Sequence, residues 1–397
     1  MPQSATIRSV AQAWRLIKEM QLQGYEWAEE DYRQAGRRGI GMFLEAQMRN
    51  HIDLYLAEMA QNGASDRRNG SFRRHLLTEV GDILLHVPRT RSYSAVKVLR
   101  AYARRTSSVD RLILACFVLG LSTRKVGRAL LSILGEPISP SAVSRIAQAL
   151  DQAVAAFHRR PIPEGYRALI LDGVVLARKT GAGAIRRPIL VALGLREDGK
   201  KEILDFRLVP GESTAAWETF VTDLYRRGLS GSRLQLICAD GGKGLQAALA
   251  LVYPNIPVQL CWAHKSRNIL ASVRKGDQEA VKADLGRISH ADHIVEARSW
   301  ARHLRARWEK IYPKAVASLQ RDLEDLLQFF LFPDPTWRSA IRTTNAIERS
   351  FREVKRRTRP MGVFSDRASM ERILYAIFAY ENLNAGVGAP LLLTQSC

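Results

Sequence analysis

The chain has 397 residues, enough for two or three domains, and 46% hydrophobic residues to build their cores. Lys and Arg number 60 against 39 Asp and Glu, a formal net charge of +21, which favours a polyanionic partner, most simply nucleic acid. The longest apolar run, Leu112–Leu121, is too short to span a bilayer, and four cysteines at unrelated spacings exclude a disulfide scaffold.

The basic residues are spread over several segments rather than gathered on one amphipathic helix, which argues against a membrane-surface protein. The first residues, Met1-Pro-Gln-Ser-Ala-Thr-Ile-Arg, hold no signal-peptide hydrophobic region. We expect a soluble intracellular protein.

In chain order, residues 1–65 read as a helical N-terminal region. Apolar positions such as Met42, Phe43, Met48, Ile52, Leu54 and Leu56 alternate with charges from about 5 to 62. No chemistry is evident, and a scaffold or oligomerisation role is expected. Residues 66–105 form a basic segment. Asp66-Arg-Arg-Asn69-Gly70 signals a turn, and Leu76–Val87 alternates as a strand or hairpin ending at Pro88. From Arg89 to Arg105 there is no acid, while Arg89, Arg91, Lys97, Arg100, Arg104 and Arg105 accumulate with Tyr93 and Tyr102 among them. A solvated basic face explains this as well as a tract for the DNA backbone; beside the next segment, the DNA reading is preferred.

Residues 106–160 read as three helices: about Val109–Leu119 stopped by Gly120, Thr123–Leu134 capped by Ser122, and a third from Ser139-Pro140-Ser141 through about Phe157. Plain packing modules share this shape, but with this charge a helix-turn-helix is expected, its reading positions Ser141, Ser144 and Arg145.

Pro161-Ile-Pro163 is a linker, and residues 165–264 change to α/β order. The apolar run from Tyr166 ends on Asp172-Gly173, which we expect at or near the end of a strand. Strands over 186–195 and 201–208, a helix over 213–228, and Leu234-Gln-Leu-Ile-Cys-Ala-Asp240 follow, then a helix and a last strand over 256–260. Three strands, helix, strand, helix, strand is the order of a ribonuclease H-like mixed sheet. Asp172 and Asp240 on strands of one sheet would set two like charges together, unfavourable without a cation between them. Hard oxygen ligands suit Mg²⁺ or Mn²⁺, and a pair of ions roughly 3.5–4 Å apart suits phosphodiester chemistry. Such a site needs a third acid.

Residues 265–340 are charged and helical and read as an all-helical insertion; 341–384 resume the core, and 385–397 form a tail. Glu348 opens a helix that any of Thr343, Thr344 and Asn345 can cap. Arg352 and Lys355 lie four and seven positions after Glu348 and share its face, whereas Glu353 points away. Cys261-x-x-His264 with His290-x-x-His293 offers a formal zinc set, but the second pair falls on a helical surface, so zinc is not expected.

Taken together, Leu-Asp172-Gly, Ala-Asp240-Gly, Cys261-x-x-His264 and Thr343-Thr-Asn-x-Ile-Glu348 resemble the bacterial Mutator-type insertion-sequence transposases. Arg68-Asn-Gly with Val87-Pro-Arg, Leu119-Gly-Leu-Ser-Thr-Arg-Lys and Ile138-Ser-Pro-Ser-x-Val-Ser-Arg extend the resemblance over about residues 65–385. It implies a DDE transposase with Asp172, Asp240 and Glu348 as catalytic acids holding two Mg²⁺ or Mn²⁺ ions. Cys261 and His264 would stand behind them. Arg352 and Lys355 would meet DNA, and the terminal inverted repeats and a target DNA would be the partners. We expect a homodimer or larger assembly on DNA, no membrane, and a cytoplasmic, nucleoid-associated location. A structure-specific nuclease with the same acids, or a DNA-binding regulator with an inactive α/β domain, are the alternatives.

Overall fold

The computed structural model describes residues 15, 29–99, 104–134, 136–180, 183–358 and 367–388. Arg100, Tyr102 and Pro360 lie outside these, as does most of the helix expected before residue 29. The chain divides into two compact units between Ile146 and Ala147.

In the first unit, helix α1 (Glu29–Gln61) lays Met48 and Ile52 on a two-stranded hairpin, β1 (Arg68–Thr78) and β2 (Gly81–Thr90). Every second residue of β2, from Ile83 through Leu85 to Val87, points at that helix, so one strand face supplies the core. The hairpin reverses at Thr78–Gly81, where Thr78 Oγ1 donates to the Gly81 carbonyl at 2.8 Å and Gly81 takes a φ of +111°. Asn69-Gly70, expected as the turn, instead lies inside β1 at a register shift, with Gly70 at φ +66°. A β-bulge and a hairpin turn ask for the same left-handed residue, so sequence cannot separate them. Tyr93 does not stand free among the basic residues. It stacks on Tyr55 with ring centres 4.3 Å apart and lies under Lys97.

Helices α2 (Ser107–Val118), α3 (Thr123–Leu134) and α4 (Pro140–Gln148) follow. Gly127 lets α3 approach Ile138, whose carbonyl oxygen would stand 2.2 Å from any Cβ there. Ser139 Oγ accepts from Ala142 N at 3.2 Å and starts α4. The third helix is not continuous to Phe157: it breaks at Ala149, and α5 (Leu150–Arg159) belongs to the second unit. Gln148-Ala149-Leu150 are ordinary helix formers, so no local signal marks the break.

The second unit is built on five strands: β3 (Tyr166–Thr180), β4 (Gly183–Arg196), β5 (Lys201–Leu208), β6 (Leu236–Ala239) and β7 (Val258–Leu260), in the order β5-β4-β3-β6-β7. The first three are antiparallel; β6 and β7 run parallel to β3. Helices α6 (Thr214–Arg226) and α7 (Lys243–Val252) cover one face through Trp217, Phe220, Leu224 and Leu249. On the other face Phe206 meets Phe378 of α15 (Arg367–Asn384) at 5.3 Å, and Phe378 meets Phe351 of α14 (Asn345–Thr358) at 5.6 Å. Asn382 closes the edge strand, accepting from Ile203 N at 2.8 Å and donating to its carbonyl at 3.0 Å.

Between β7 and α14 lies a wholly helical stretch: α8 (Trp262–Ala271), α9 (Gln278–Ser289), α10 (Ile294–Trp308), α11 (Pro313–Arg321), α12 (Leu323–Leu326) and α13 (Pro335–Ile341). Its own core gathers Trp262, Leu285, Leu304, Trp308 and Phe329. Gln259 of β7 donates to the Leu326 carbonyl at 2.9 Å and fastens the stretch to the sheet, and Trp262 of α8 donates to the same oxygen at 2.7 Å.

Asp172 does not end its strand: it is the seventh of fifteen residues in β3, because the hairpin with β4 runs on to Thr180↔Gly183. An Asp-Gly pair reads as a stop, yet the antiparallel partner carries the strand through it. The shorter parallel neighbour β6 does stop at that level, its last pair being Leu171↔Ala239.

Candidate active site

Asp172 on β3 and Asp240, the first residue beyond β6, each follow the last β3–β6 pair, which sets them near enough for the charge of Asp240 to act on Asp172. Helix α14 presents Glu348 from its first turn, while His264 comes from the first turn of α8. One ligand atom each of Asp172, His264 and Glu348 lies within 4.8 Å of the other two. Asp240 stands just outside this trio, its Oδ1 accepting from Gly242 N at 2.5 Å.

Asp172 is 2% exposed. Burial pushes its carboxyl up to about 6, with Asp240 and Glu348 adding to the rise and His264 and a Thr344 hydrogen bond opposing it. His264 is raised as well, which here favours its charged form. Its hydrogen bond to Cys261 outweighs the cost of burial, and with the charges of Cys261 and Asp172 raises the ring to about 9. His264 Nε2 lies 3.9 Å from Glu348 Oε1, and Arg267, one turn along α8, pairs with the same oxygen. Two protein cations thus answer the converging carboxylates.

Cys261 sits behind His264. Burial works to raise its thiol, but hydrogen bonds with His264 and Thr344 prevail and lower it. Thr344, fully buried, donates its N–H to Cys261 Sγ at 3.3 Å, and its hydroxyl lies 3.5 Å from both that sulfur and His264 Nδ1. Trp262 N also donates to the Arg342 carbonyl at 3.2 Å, so the two ends of the helical stretch are tied together at the site. Lys265 locks α8 from behind through Ser318 Oγ at 2.8 Å and Asp322.

Arg352 and Lys355 are exposed along α14. Glu353 turns away to Arg356 at 2.8 Å and Arg357 at 3.8 Å. In the first unit Ser141, Ser144 and Arg145 are exposed on α4, as are Arg89, Arg91 and Arg104. Arg105 is engaged by Asp110 at 2.8 Å, so an acid absent from the linear tract arrives from the next helix. His290 and His293 serve helix ends, bonding the Gly286 carbonyl and Glu296 N. Among the described residues they join no ligand group with Cys261.

A sequence profile described as "Transposase, Mutator family" matches residues 12–385. The chain belongs to the Mutator transposase family. It is 29% identical over 351 residues to the transposase for insertion sequence element IS905 of Lactococcus lactis, with 88% of each chain covered. It is 33% identical over 324 residues to the transposase for IS1081 of Mycobacterium tuberculosis, covering 80% of this chain and 77% of the relative. With the transposase for IS256 in transposon Tn4001 of Staphylococcus aureus it shares 30% identity over 342 residues, 85% and 86% of the two chains. No helix in the described residues is long and apolar enough to cross a membrane.

Two residues of this Mutator-family site escaped sequence reasoning in their present roles. Arg267 could have been found: Cys261, His264 and Arg267 recur at three-residue steps, which place them along one side of a helix start. Thr344 was read only as a possible cap, and nothing in its neighbours signals that its hydroxyl is buried between Cys261 and His264.

Proposed function

We propose that this chain is a DDE transposase that binds the terminal inverted repeats of an insertion sequence and catalyses metal-dependent strand cleavage and strand transfer. The observation that carries the reading is the convergence of Asp172 and Glu348, distant in sequence, within ligand reach of one another and beside Asp240. The strand order, antiparallel then parallel about a central β3, supports a ribonuclease H-like core with α8–α13 as its helical insertion. Helices α2–α4, with Ser141, Ser144 and Arg145 exposed, support a helix-turn-helix.

The donor set fits hard divalent cations. Carboxylate oxygens dominate it, and a nearly enclosed Asp172 whose charge burial disfavours is relieved by a cation. When bound, two Mg²⁺ or Mn²⁺ ions lower the pKa of an attacking water or DNA 3′-OH and stabilise the leaving oxygen. Asp172 is the rigid anchor, set in mid-strand. Asp240 flanks it from the next strand, and Glu348 closes the site from α14. Cys261 and Thr344 orient the His264 ring, and Arg267 holds Glu348 in place. Arg352 and Lys355 meet backbone phosphates along the same helix, and Arg89, Arg91 and Arg104 do so from the hairpin segment. Arg105 belongs to the same set and also pairs with Asp110 at 2.8 Å. Tyr32, Phe43 and Leu54 are about 60% exposed at eleven-residue steps, which repeat on one face of α1. This supports association of two copies on DNA.

The test is a joining assay with a 3′-OH-ended duplex cut from the repeats flanking the gene. Joined product in Mg²⁺ or Mn²⁺, and none with chelator, is expected. Cleavage without joining would identify a nuclease, and binding without either a regulator.

A further inference from the structure

Past the active site the sheet narrows to two strands. β6 stops opposite Leu171 and β5 stops opposite Ile189, yet β3 and β4 stay paired from Val175↔Pro188 out to Thr180↔Gly183. These six pairs make a ribbon about 20 Å long that leaves the sheet just beyond Asp172. Val209 N donates to the Pro188 carbonyl at 3.0 Å and fixes its root.

The register sets a base on each face of the ribbon. Arg187 is opposite Leu176, four positions past Asp172, so it shares the sheet face of that aspartate at about 14 Å along the strand. Arg186, opposite Ala177, falls on the other face. Arg186 is exposed and Arg187 partly buried, and among the described residues neither has an ion-pair partner. Arg178 and Lys179 belong to the same ribbon, and from Gly173 to Leu195 the sequence holds no acid.

Charges on a bare strand edge also guard against pairing between copies. Acids do that as well as bases, so guarding leaves an acid-free run unexplained. A two-stranded ribbon is narrow enough to enter the major groove of duplex DNA, where phosphates line both rims.

We propose that the β3–β4 ribbon is a DNA arm: it lies in the groove beside the active site, and Arg186 and Arg187 each meet a backbone phosphate. A reach of about 14 Å spans about four nucleotides of one strand, so Arg187 grips the duplex close to the reacting bond. Resting on the DNA-joining reading above, this adds to the second unit a surface that holds DNA without reading its sequence.

The test titrates full-length protein with a repeat duplex and with a random duplex of the same length, at several salt concentrations. Arg186→Ala and Arg187→Ala should each flatten the slope of log affinity against log salt by about 0.9, the value for one lost phosphate contact, and weaken the two duplexes alike. Arg226→Ala, an exposed base at the end of α6, should keep the wild-type slope, and all three variants should melt as wild type does. An unchanged slope in the two arm variants overturns the proposal, and so does lost self-association in light scattering with the slope intact. Wild-type joining in the same preparations then leaves the transposase reading standing. An effect confined to the repeat duplex also overturns it, because that means base readout. If wild type binds neither duplex, the DNA reading fails and this proposal with it.

Discussion

Two buried aspartates of the same sheet show how differently one residue type can be used. Asp205 on β5 is fully buried, and its neighbours account for its charge. His158 lies at 2.6 Å, Arg227 donates at 3.0 Å, and the backbone N–H of Phe206 at 2.8 Å. Those partners come from α5 and from the end of α6, so the carboxylate fastens two helices to the sheet edge. Asp172 on β3 is almost as enclosed, yet Asp240 and Glu348 crowd it, and the His264 charge and a Thr344 hydrogen bond do not outweigh its burial. A buried acid supplied with cations belongs to the architecture; one packed against other acids marks chemistry that awaits a cation.

The largest effect expected is on turnover. Asp172→Asn, Asp240→Asn and Glu348→Gln should each lower strand cleavage and joining by at least about 10²–10³-fold, as removal of one transition-state electrostatic group does. Repeat binding in a gel-shift assay should persist. Next comes stability. Asp205→Asn should cost about 3 kcal/mol in urea unfolding, because it leaves the buried Arg227 guanidinium with only Asp223 at 3.5 Å to answer its charge, while joining per folded molecule stays normal. Asp172→Asn should cost little, since it removes a charge that burial disfavours. Smaller again is the linkage to metal. Mg²⁺ at a hundred times its dissociation constant should stabilise wild type and Asp205→Asn by about 2.7 kcal/mol, and Asp172→Asn by clearly less. Smallest is Glu353→Gln. It loses partly exposed pairs to Arg356 and Arg357, worth roughly 0.2–1 kcal/mol, and should join DNA nearly normally.

Much of this contrast was legible in the sequence. Periodicity placed β4, β5, α6 and the helical stretch, because each buries a regular face. The register that sets Asp172 beside Asp240 follows from two similar strand-Asp-Gly runs. Asp205 gave no signal, since Glu202-Ile-Leu-Asp205-Phe reads as an ordinary strand and its partners lie 47 and 22 residues away. The bulge at Asn69-Gly70 was hidden because a turn asks for the same left-handed residue, and the Arg105–Asp110 pair because its acid arrives from the following helix.

The most direct measurement sets the two aspartates against each other in the joining assay with Mg²⁺, scoring product per folded molecule beside each melting temperature. Asp172→Asn should melt at or above the ion-free wild-type temperature and give no joined product, and Asp205→Asn should melt lower and, below its transition, join DNA as wild type does. Joined product from Asp172→Asn at a near wild-type rate would contradict the account and remove that aspartate from the site.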